Sequence, residues 1–355
     1  MEDMFEAAAV TVVENTQPSE ARRVAITLAR QLGFDETTAG RLAIVVTEAA
    51  TNIVKHGGGG EIVIRPLQAD GERGIELLAL DKGPGIANLA ESRRDGVSRT
   101  GSAGTGLGAI GRLADMHDIY SQPDRGTAVL ARIWQERQTA HPAARVLVGA
   151  VSVAMPGETI CGDSWSVAFN ASGAVVLVAD GLGHGLLAAE ASREAVRVFR
   201  KRPMDGPVAV LQTVHAALRS TRGSAGAVAH IDCERRVITY AGVGNIAGVV
   251  LSASERWNMA SYTGTLGHVV RTFTEFTYAW PPDAMMVLNS DGLVTRWTLD
   301  HYPGISAHDA SLIAGVLYRD FNRGRDDATV VVIKQLATSV RPSVDIGGER
   351  TIGAS

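Results

Sequence analysis

The chain has 355 residues, of which 45% are hydrophobic and 20% charged, a balance typical of a folded globular protein rather than a disordered or fibrous one. The length exceeds what one ordinary hydrophobic core requires, so it predicts two domains. Because the net charge is −4, the chain has no basic field for nucleic acid or an anionic membrane, and neither is expected as a partner.

The beginning of the chain and its two cysteines indicate a cytoplasmic protein. Acidic residues occur at Glu2, Asp3 and Glu6, where a secretory signal would carry positive charge, and the apolar stretch there is too short to cross a bilayer. Cys161 and Cys233 cannot form a disulfide framework and suit a reducing compartment.

The first part of the chain contains helical and strand-like patterns. Apolar residues recur with helical spacing over 19–32 and 37–56, and four glycines end the second helix. Further patterns predict strands at 61–65 and 75–80, a helix at 106–116 and a strand at 126–134. This order predicts an α/β sandwich with helices over one face of a mixed sheet.

A polar segment without apolar periodicity follows and marks a domain boundary. The predicted organisation is a first domain at 1–137, a linker at 138–145, a second domain at 146–336 and a disordered tail at 337–355. The second domain has helical patterns at 186–199 and 208–221 and strand patterns at 144–153, 164–170, 174–179, 225–231, 237–243, 284–290 and 329–334. The chain is therefore predicted to be α+β, with layered sheets in its second domain.

Two motifs in the first domain could take part in nucleotide binding. Glu48 and Asn52 are one helical turn apart, so they share a face on which a carboxylate can act as a general base and an amide oxygen can hold Mg²⁺. Asp81 ends an apolar strand and could accept a hydrogen bond from an adenine amino group, while Gly83 and Gly85 let the backbone approach the base. Taken alone, each motif also fits a solvated helix face or a simple turn.

A third motif is the glycine-rich run Gly104-Thr105-Gly106-Leu107-Gly108, which precedes a helix and offers backbone N–H groups to phosphate oxygens. The dinucleotide-binding pattern GxGxxG also fits from Gly106 to Gly111. That interpretation is rejected because no strand runs directly into it.

In this order and spacing the three motifs resemble those of the GHKL ATPases, the family of histidine kinases, gyrase-type ATPases and anti-sigma serine kinases, over about residues 8–134. The resemblance implies the Bergerat α/β sandwich, with ATP and Mg²⁺ as cofactors. It implies that Glu48 is the catalytic base, Asn52 the Mg²⁺ ligand and Asp81 the adenine reader. The ATP loops would contain Gly83, Gly85, Gly104, Thr105, Gly106, Leu107 and Gly108.

Residues 87–103 would form the lid of such a site, and Arg93, Arg94 and Arg99 would contact phosphate or remain solvated. No histidine precedes His56, so autophosphorylation on histidine is not expected. The compact motif set looks most like the RsbT-type switch serine kinases of the stressosome. That likeness implies serine or threonine of STAS-domain proteins as the phosphoryl acceptor.

Four aspartates of the second domain, Asp163, Asp180, Asp291 and Asp326, lie at the edges of predicted strands. A folded sandwich could bring them to one rim, where a hard divalent cation such as Mg²⁺ or Mn²⁺ would relieve their mutual repulsion. Two such ions could activate water for attack on phosphorus. Each Asp-Gly pair by itself is typical of a turn, so this prediction depends on the ordered set.

Two other kinds of site are not indicated. A cysteine phosphatase would need an arginine six residues after its cysteine, and neither Cys161 nor Cys233 has one. A zinc site is not indicated because His184, His215 and His230 lack HExxH or CxxC spacing.

The ordered aspartates resemble those of the PPM metal-dependent serine/threonine phosphatases of the SpoIIE type, over about residues 146–335. Segments 160–165 and 178–183, together with Arg222, Tyr240 and Asn245, are similar to the RsbX-type feedback phosphatases of the stressosome. The resemblance implies an α-β-β-α layered fold and two Mn²⁺ or Mg²⁺ ions. The implied ligands are Asp163, Asp180, the carbonyl of Gly181, Asp291 and Asp326, with Asp327 the less favoured member of its pair.

Together the resemblances predict a bifunctional enzyme that phosphorylates and dephosphorylates serine or threonine on STAS-domain partners, with output to a sigma factor or a second-messenger protein. Two alternatives stay open. The first domain could be an ATP-dependent binding module that sequesters a sigma factor or another regulator, or it could sense ATP and regulate the phosphatase in cis.

Overall fold

The computed structural model describes residues 7–69, 72–87, 106–136 and 145–336. The strands of the first domain are β1 (Ala8–Val12), β2 (Gly60–Ala69), β3 (Glu72–Asp81), β4 (Met116–Ser121) and β5 (Thr127–Trp134). Its helices are α1 (Gln17–Gln31), α2 (Glu36–Asn52) and α3 (Gly106–Leu113), and one π-helical turn (Ile53–Gly57) extends α2. The predicted tail, and the predicted linker except Arg145, lie outside the described residues.

The five strands of the first domain form one sheet in the order β1-β2-β3-β5-β4. Each described strand pair is antiparallel, so the predicted mixed sheet is wrong. The sequence patterns also missed β1 and β4, and the predicted helix 106–116 ends at Leu113. Because the short strand β4 begins three residues later, its first residue had been included in the helical pattern.

The three helices cover one face of this sheet and build its core. Asp35 caps α2 by accepting a hydrogen bond from the Thr38 backbone N–H at 2.7 Å. Along α2, Leu42, Val45 and Val46 are fully buried against apolar side chains of the sheet. The opposite side of α2 is therefore available to the polar residues of the candidate site.

The second domain contains two stacked sheets. Their strands are β6 (Val146–Val153), β7 (Asp163–Phe169), β8 (Gly173–Gly181), β9 (Ser224–Asp232), β10 (Val237–Val243), β11 (Ala247–Leu251), β12 (Arg256–Met259), β13 (Gly264–Thr265), β14 (Val269–Val270), β15 (Phe276–Ala279), β16 (Met285–Asn289) and β17 (Ala328–Gln335). One sheet has the order β15-β10-β9-β8-β7 and the other β12-β11-β16-β17-β6, while β13 and β14 form a separate small ribbon. Side chains from the facing surfaces, such as Val178 and Leu288, share one core.

Helices cover both outer faces of this sandwich. The helices α4 (Leu186–Lys201) and α5 (Pro207–Ala217) pack on the sheet that contains β8 and β9, and α6 (Ala310–Phe321) packs on β6 and β17. The predicted α-β-β-α layering is confirmed. In the described part of the chain, no helix is both long enough and apolar enough to cross a membrane.

Helix α6 also packs against the first domain and was not predicted. All residues from Ala310 to Arg319 are buried, because one side of the helix faces β6 and β17 and the other faces β3 and β5. A helix buried on all sides lacks the polar stripe by which a surface helix is recognised in a sequence. Leu78 and Leu80 of β3 therefore share one hydrophobic cluster with Leu317 of α6.

A polar network fastens the beginning of α6 to the first domain. Arg132 on β5 donates hydrogen bonds to Glu76 at 2.7 Å and to Asp309 at 2.8 Å. Arg65 on β2 donates to the other oxygen of Glu76 at 2.6 Å. His308 is paired with Asp118 of β4 at 2.9 Å. The contact between the domains is thus both apolar and ionic.

Candidate functional site

Glu48, Asn52 and Gly106 lie together in the first domain. The helical spacing of α2 places both side chains beside the beginning of α3. A side chain added at Gly106 would lie 3.0 Å from Asn52 Oδ1 and 3.2 Å from Glu48 Oε2, so only glycine leaves this space open. The backbone N–H groups of the first turn of α3 lie beside this carboxylate and amide pair.

Asp81 and Gly83 form a tight loop at the end of β3. The Asp81 carboxylate accepts hydrogen bonds from the backbone N–H groups of Gly83 at 2.9 Å and Thr127 at 3.2 Å. Burial raises the pKa of Asp81, although these two N–H donors partly offset the effect. A side chain at Gly57 would lie 2.6 Å from the Asp81 Cβ, so the end of the extended α2 helix packs directly on the Asp81 loop.

The remaining described residues of the predicted nucleotide site make no hydrogen bond with Glu48 or Asn52. Gly85 has φ +69°, and an added side chain would overlap the Gln122 carbonyl, so this loop position requires glycine. Leu107 and Gly108 are half-buried in the first turn of α3. Gly104, Thr105 and the lid 88–103, with Arg93, Arg94 and Arg99, lie outside the described residues.

The second domain gathers its acidic residues where β7 and β17 begin and where β8 and β16 end. Asp163 and Asp180 are directly opposed on β7 and β8. Burial raises the pKa of Asp180, and the charges of Asp163, Asp291, Asp326 and Asp327 raise it further. Burial likewise raises the pKa of Asp163, and Asp327 and Asp326 add to the effect. The carboxylates of Asp291, Asp326 and Asp327 therefore lie close enough to Asp180 for their charges to act on it.

Asp327 differs from the other aspartates of this cluster in its hydrogen bonding. Its two oxygens accept hydrogen bonds from the backbone N–H groups of Met155 at 2.8 Å and Gly162 at 2.9 Å. Asp326, its neighbour, accepts only the Asp327 N–H in the contacts described. Asp327 thus holds the loop together, and Asp326 keeps an oxygen for another partner.

Comparisons with known proteins match the two parts of the chain to two different families. Residues 12–133 match the family described as "Histidine kinase-like ATPase domain", and residues 170–335 match "Stage II sporulation protein E (SpoIIE)". The serine/threonine-protein kinase RsbT of Bacillus subtilis (strain 168) is 33% identical over 114 residues, which are 32% of this chain and 86% of RsbT.

The chain belongs to both families: it is a fusion of a histidine kinase-like ATPase domain with a SpoIIE-type PPM phosphatase domain. The phosphoserine phosphatase RsbX of Bacillus subtilis (strain 168) is 27% identical over 138 residues, which are 39% of this chain and 69% of RsbX. A solved structure from "The bacterial stressosome: a modular system that has been adapted to control secondary messenger signaling" has a TM-score of 0.50 and 27% identity. It covers 54% of this chain and all of that chain.

The residues of the ATPase domain fit a nucleotide with Mg²⁺. The Asn52 amide nitrogen is buried and has no hydrogen-bond partner among the described residues, so the side chain can turn either amide atom toward a ligand. The space that a side chain at Gly106 would fill lies next to it. Asn52 would hold Mg²⁺, Asp81 the adenine, and the beginning of α3 the phosphates.

The residues of the phosphatase domain fit divalent cations. Asp163 Oδ2 is buried without a hydrogen-bond partner among the described residues, and burial and neighbouring carboxylates raise the pKa of both Asp163 and Asp180. In the described chain, no three His, Cys, Asp or Glu side chains already form a complete ligand set. The carboxylates would thus have to close around an ion, with Asp163, Asp180, the Gly181 carbonyl, Asp291 and Asp326 as ligands.

The sequence motifs did not identify Arg319. This α6 residue donates to the backbone carbonyl of Asp81 at 3.0 Å, and its side chain is only 4% exposed. The pattern of α6 carries no signal for this contact, because the partner is distant in the chain and is a backbone atom.

Proposed function

We propose that this cytoplasmic fusion protein phosphorylates serine or threonine on a STAS-domain protein through its ATPase domain and removes such phosphates through its phosphatase domain. The observation that carries the proposal is the presence, in one chain, of a candidate base beside the glycine that begins α3 and of an aspartate cluster in which Asp163 Oδ2 is buried without a hydrogen-bond partner among the described residues. Such a protein would set the phosphorylation level of a partner-switching regulator whose output is a sigma factor or a second-messenger protein.

In the ATPase domain Glu48 is the candidate base. Its carboxylate lies beside Asn52 and the beginning of α3, so it can accept the proton of an acceptor hydroxyl brought to that point. Bound ATP would supply the phosphoryl group, and Mg²⁺ would neutralise the phosphates. The backbone N–H groups at the beginning of α3 would orient phosphate oxygens.

In the phosphatase domain the aspartates provide a site for two Mn²⁺ or Mg²⁺ ions, which supply charge neutralisation and water activation. Asp163 and Asp180 are fixed by opposed strands, and Asp291 accepts a hydrogen bond from Asn245 at 2.7 Å. This pairing orients the Asp291 carboxylate, as a supporting residue commonly does around a metal ligand.

The surroundings of the aspartate cluster suit a protein substrate. Leu182, Leu186 and Leu187 are 45%, 55% and 47% exposed and closely follow Asp180 and Gly181 in the chain. Gly183 follows Leu182 in the same loop, and the Arg222 guanidinium, from another part of the chain, lies beside it. Exposed apolar side chains next to a cationic group favour a phosphorylated protein surface over a small phosphate ester.

Two observations support a STAS-domain substrate: the sequence resemblance, and the kinase and phosphatase activities for which the similar proteins are named. RsbT is described as a serine/threonine-protein kinase, RsbX as a phosphoserine phosphatase, and the similar solved structure comes from the stressosome. Opposed activities of this kind within one chain would let a single protein set the phosphate occupancy of a shared partner.

The proposal is tested by mass spectrometry of a STAS-domain protein from the same organism, incubated with ATP, Mg²⁺ and Mn²⁺. Compared with wild type, Glu48→Gln should lower phosphate occupancy, with transfer about 10²-fold to 10⁴-fold slower because a general base is lost. Asp180→Asn should raise occupancy, because it removes a candidate ligand of the phosphatase metals.

Glu36→Gln, in the first turn of the same helix, is the matched control and should behave as wild type. Unchanged occupancy in the Glu48 variant contradicts the kinase assignment. A STAS protein that stays bound but unmodified would instead favour the binding-module alternative.

A further inference from the structure

Helix α6 connects the two candidate sites over a short stretch of chain. Near its end, Arg319 bonds to Asp81 of the ATPase domain, and just beyond its end Arg323 bonds to the phosphatase loop. The metal-site candidate Asp326 follows three residues later. Residues in contact with both sites therefore lie within eight positions of one another, on the end of α6 and its immediate extension.

The Arg319 end of this connection is firmly fixed. The guanidinium donates to Asp320 at 2.9 Å and 2.7 Å, and a further N–H reaches the Asp81 carbonyl at 3.0 Å. Asp320 is held in turn by the Tyr302 hydroxyl at 2.8 Å. A displacement of the Asp81 backbone must move this group or break its hydrogen bond, since the planar guanidinium allows little adjustment.

The other end reaches the Asp291 loop through backbone contacts. The N–H of Val294 donates to Phe321 at 2.9 Å, and the N–H of Arg323 donates to the Gly292 carbonyl at 2.8 Å. A side chain at Gly292 would overlap the Asp327 carbonyl, so the loops that carry Asp291 and Asp326 pack directly on each other. A shift at the end of α6 would thus change the spacing of two candidate metal ligands.

The junction also has room for such a shift. A cavity of about 320 Å³ between the domains is lined by residues of both, including Gly60, Asp81, Tyr318, Arg319 and Asn322. The last turn of α6 is therefore bordered by open space on this side, whereas its first turn is fixed by Asp309 and Arg132. This arrangement favours a pivot about the first turn over a shift of the whole helix.

We propose that Arg319 is a positioning residue that couples nucleotide binding at Asp81 to the arrangement of Asp291 and Asp326 in the phosphatase site. The inference rests on the nucleotide-binding part of the proposed function and adds a connection within the same chain. A nucleotide that binds the Asp81 loop would contact that loop differently before and after α6 pivots. It would therefore bind the two arrangements with different affinity, and coupling between two sites requires such a difference.

The first test is hydrogen exchange on the full chain in Mg²⁺, with and without ADP, after calorimetry has measured ADP binding. ADP should change exchange by about 5-fold or more, the lower end of typical coupling factors, at 291–294 and 322–327 as well as around Asp81. If ADP binds but its effect stops within residues 7–136, the coupling is wrong. If ADP does not bind, both the coupling and the kinase proposal fail.

The second test uses Arg319→Gln, which should bind ADP but lose the response at 291–294 and 322–327. Its hydrolysis of p-nitrophenyl phosphate with Mn²⁺ should no longer depend on ADP, whereas the wild-type rate should change by about 5-fold. Arg197→Gln, which removes a surface ion pair with Glu194 on α4, is the control and should keep the response. A response retained by the Arg319 variant overturns the assignment.

Discussion

Glu76 shows how one buried side chain makes the contact between the domains sensitive to pH. Burial alone would raise its pKa, but the charges of Arg65 and Arg132 outweigh it and lower the pKa from 4.5 to about 2. Because the pKa is lower in the folded protein, this stabilisation is complete above pH 4.5 and is lost as the pH falls toward 2. The difference corresponds to roughly 3 kcal/mol.

We therefore predict that Glu76→Gln destabilises the protein at pH 7 by roughly 3 kcal/mol and that the deficit shrinks as the pH falls from 4.5 toward 2. Urea unfolding at several pH values measures it. Glu20→Gln, at an exposed site on α1, serves as the control. Asp118 also has a lowered pKa, so the variant should keep some acid sensitivity. A deficit independent of pH contradicts the assignment.

At this scale, local spacing predicted much of the candidate site. Helical periodicity was enough to place Glu48 and Asn52 on one face, and the end of an apolar strand was enough to place Asp81. Arg319 could not be found in this way. Its contact depends on how two domains pack, and no periodicity within α6 encodes the position of a carbonyl in another domain.

Among the secondary-structure elements, α6 is packed against its strand without space for an added side chain. A side chain at Gly149 of β6 would overlap the backbone nitrogen of Ser311, so the beginning of α6 must rest directly on the strand. Gly40 in α2 has no atom within 4 Å of an added side chain. Alanine substitutions at these two glycines should therefore change the stability of the protein in opposite directions.

We predict that Gly149→Ala destabilises the protein by at least about 2 kcal/mol, because a backbone overlap forces α6 away from its strand. Gly40→Ala should stabilise it by up to about 1 kcal/mol, because alanine is favoured in a helix. Thermal and urea unfolding of both variants provide the measurement. Equal effects at the two positions would contradict the packing described for α6.

The same helix explains which elements the sequence could not predict. Amphipathic helices such as α4 and alternating or apolar strands such as β8 were found within a few residues of their observed bounds. Helix α6 was missed because residues 312–317 have no polar side chain to mark a solvent-facing side, and β4 was missed because it is short and closely follows a helix. Burial on two sides removes the polar contrast on which pattern recognition depends.

For the whole molecule, the shared position of α6 determines how the protein should unfold. One hydrophobic cluster contains Leu78 and Leu130 of the ATPase domain, Leu317 of α6 and Val330 of the phosphatase domain. Removal of either domain would expose one side of this cluster to water. The domains of this fusion therefore depend on each other for burial, which a chain of two independent domains would not show.

We predict that the full chain unfolds in one cooperative transition, with equal calorimetric and van't Hoff enthalpies in a thermal scan. Global protection against hydrogen exchange should be the same for the amides of 77–80 and of 330–332, because neither strand can open while α6 stays packed between them. Arg132→Gln should lower the protection of these two segments by the same factor. Two resolved transitions, or a variant that weakens only one of the two segments, would mean that α6 belongs to the phosphatase domain alone.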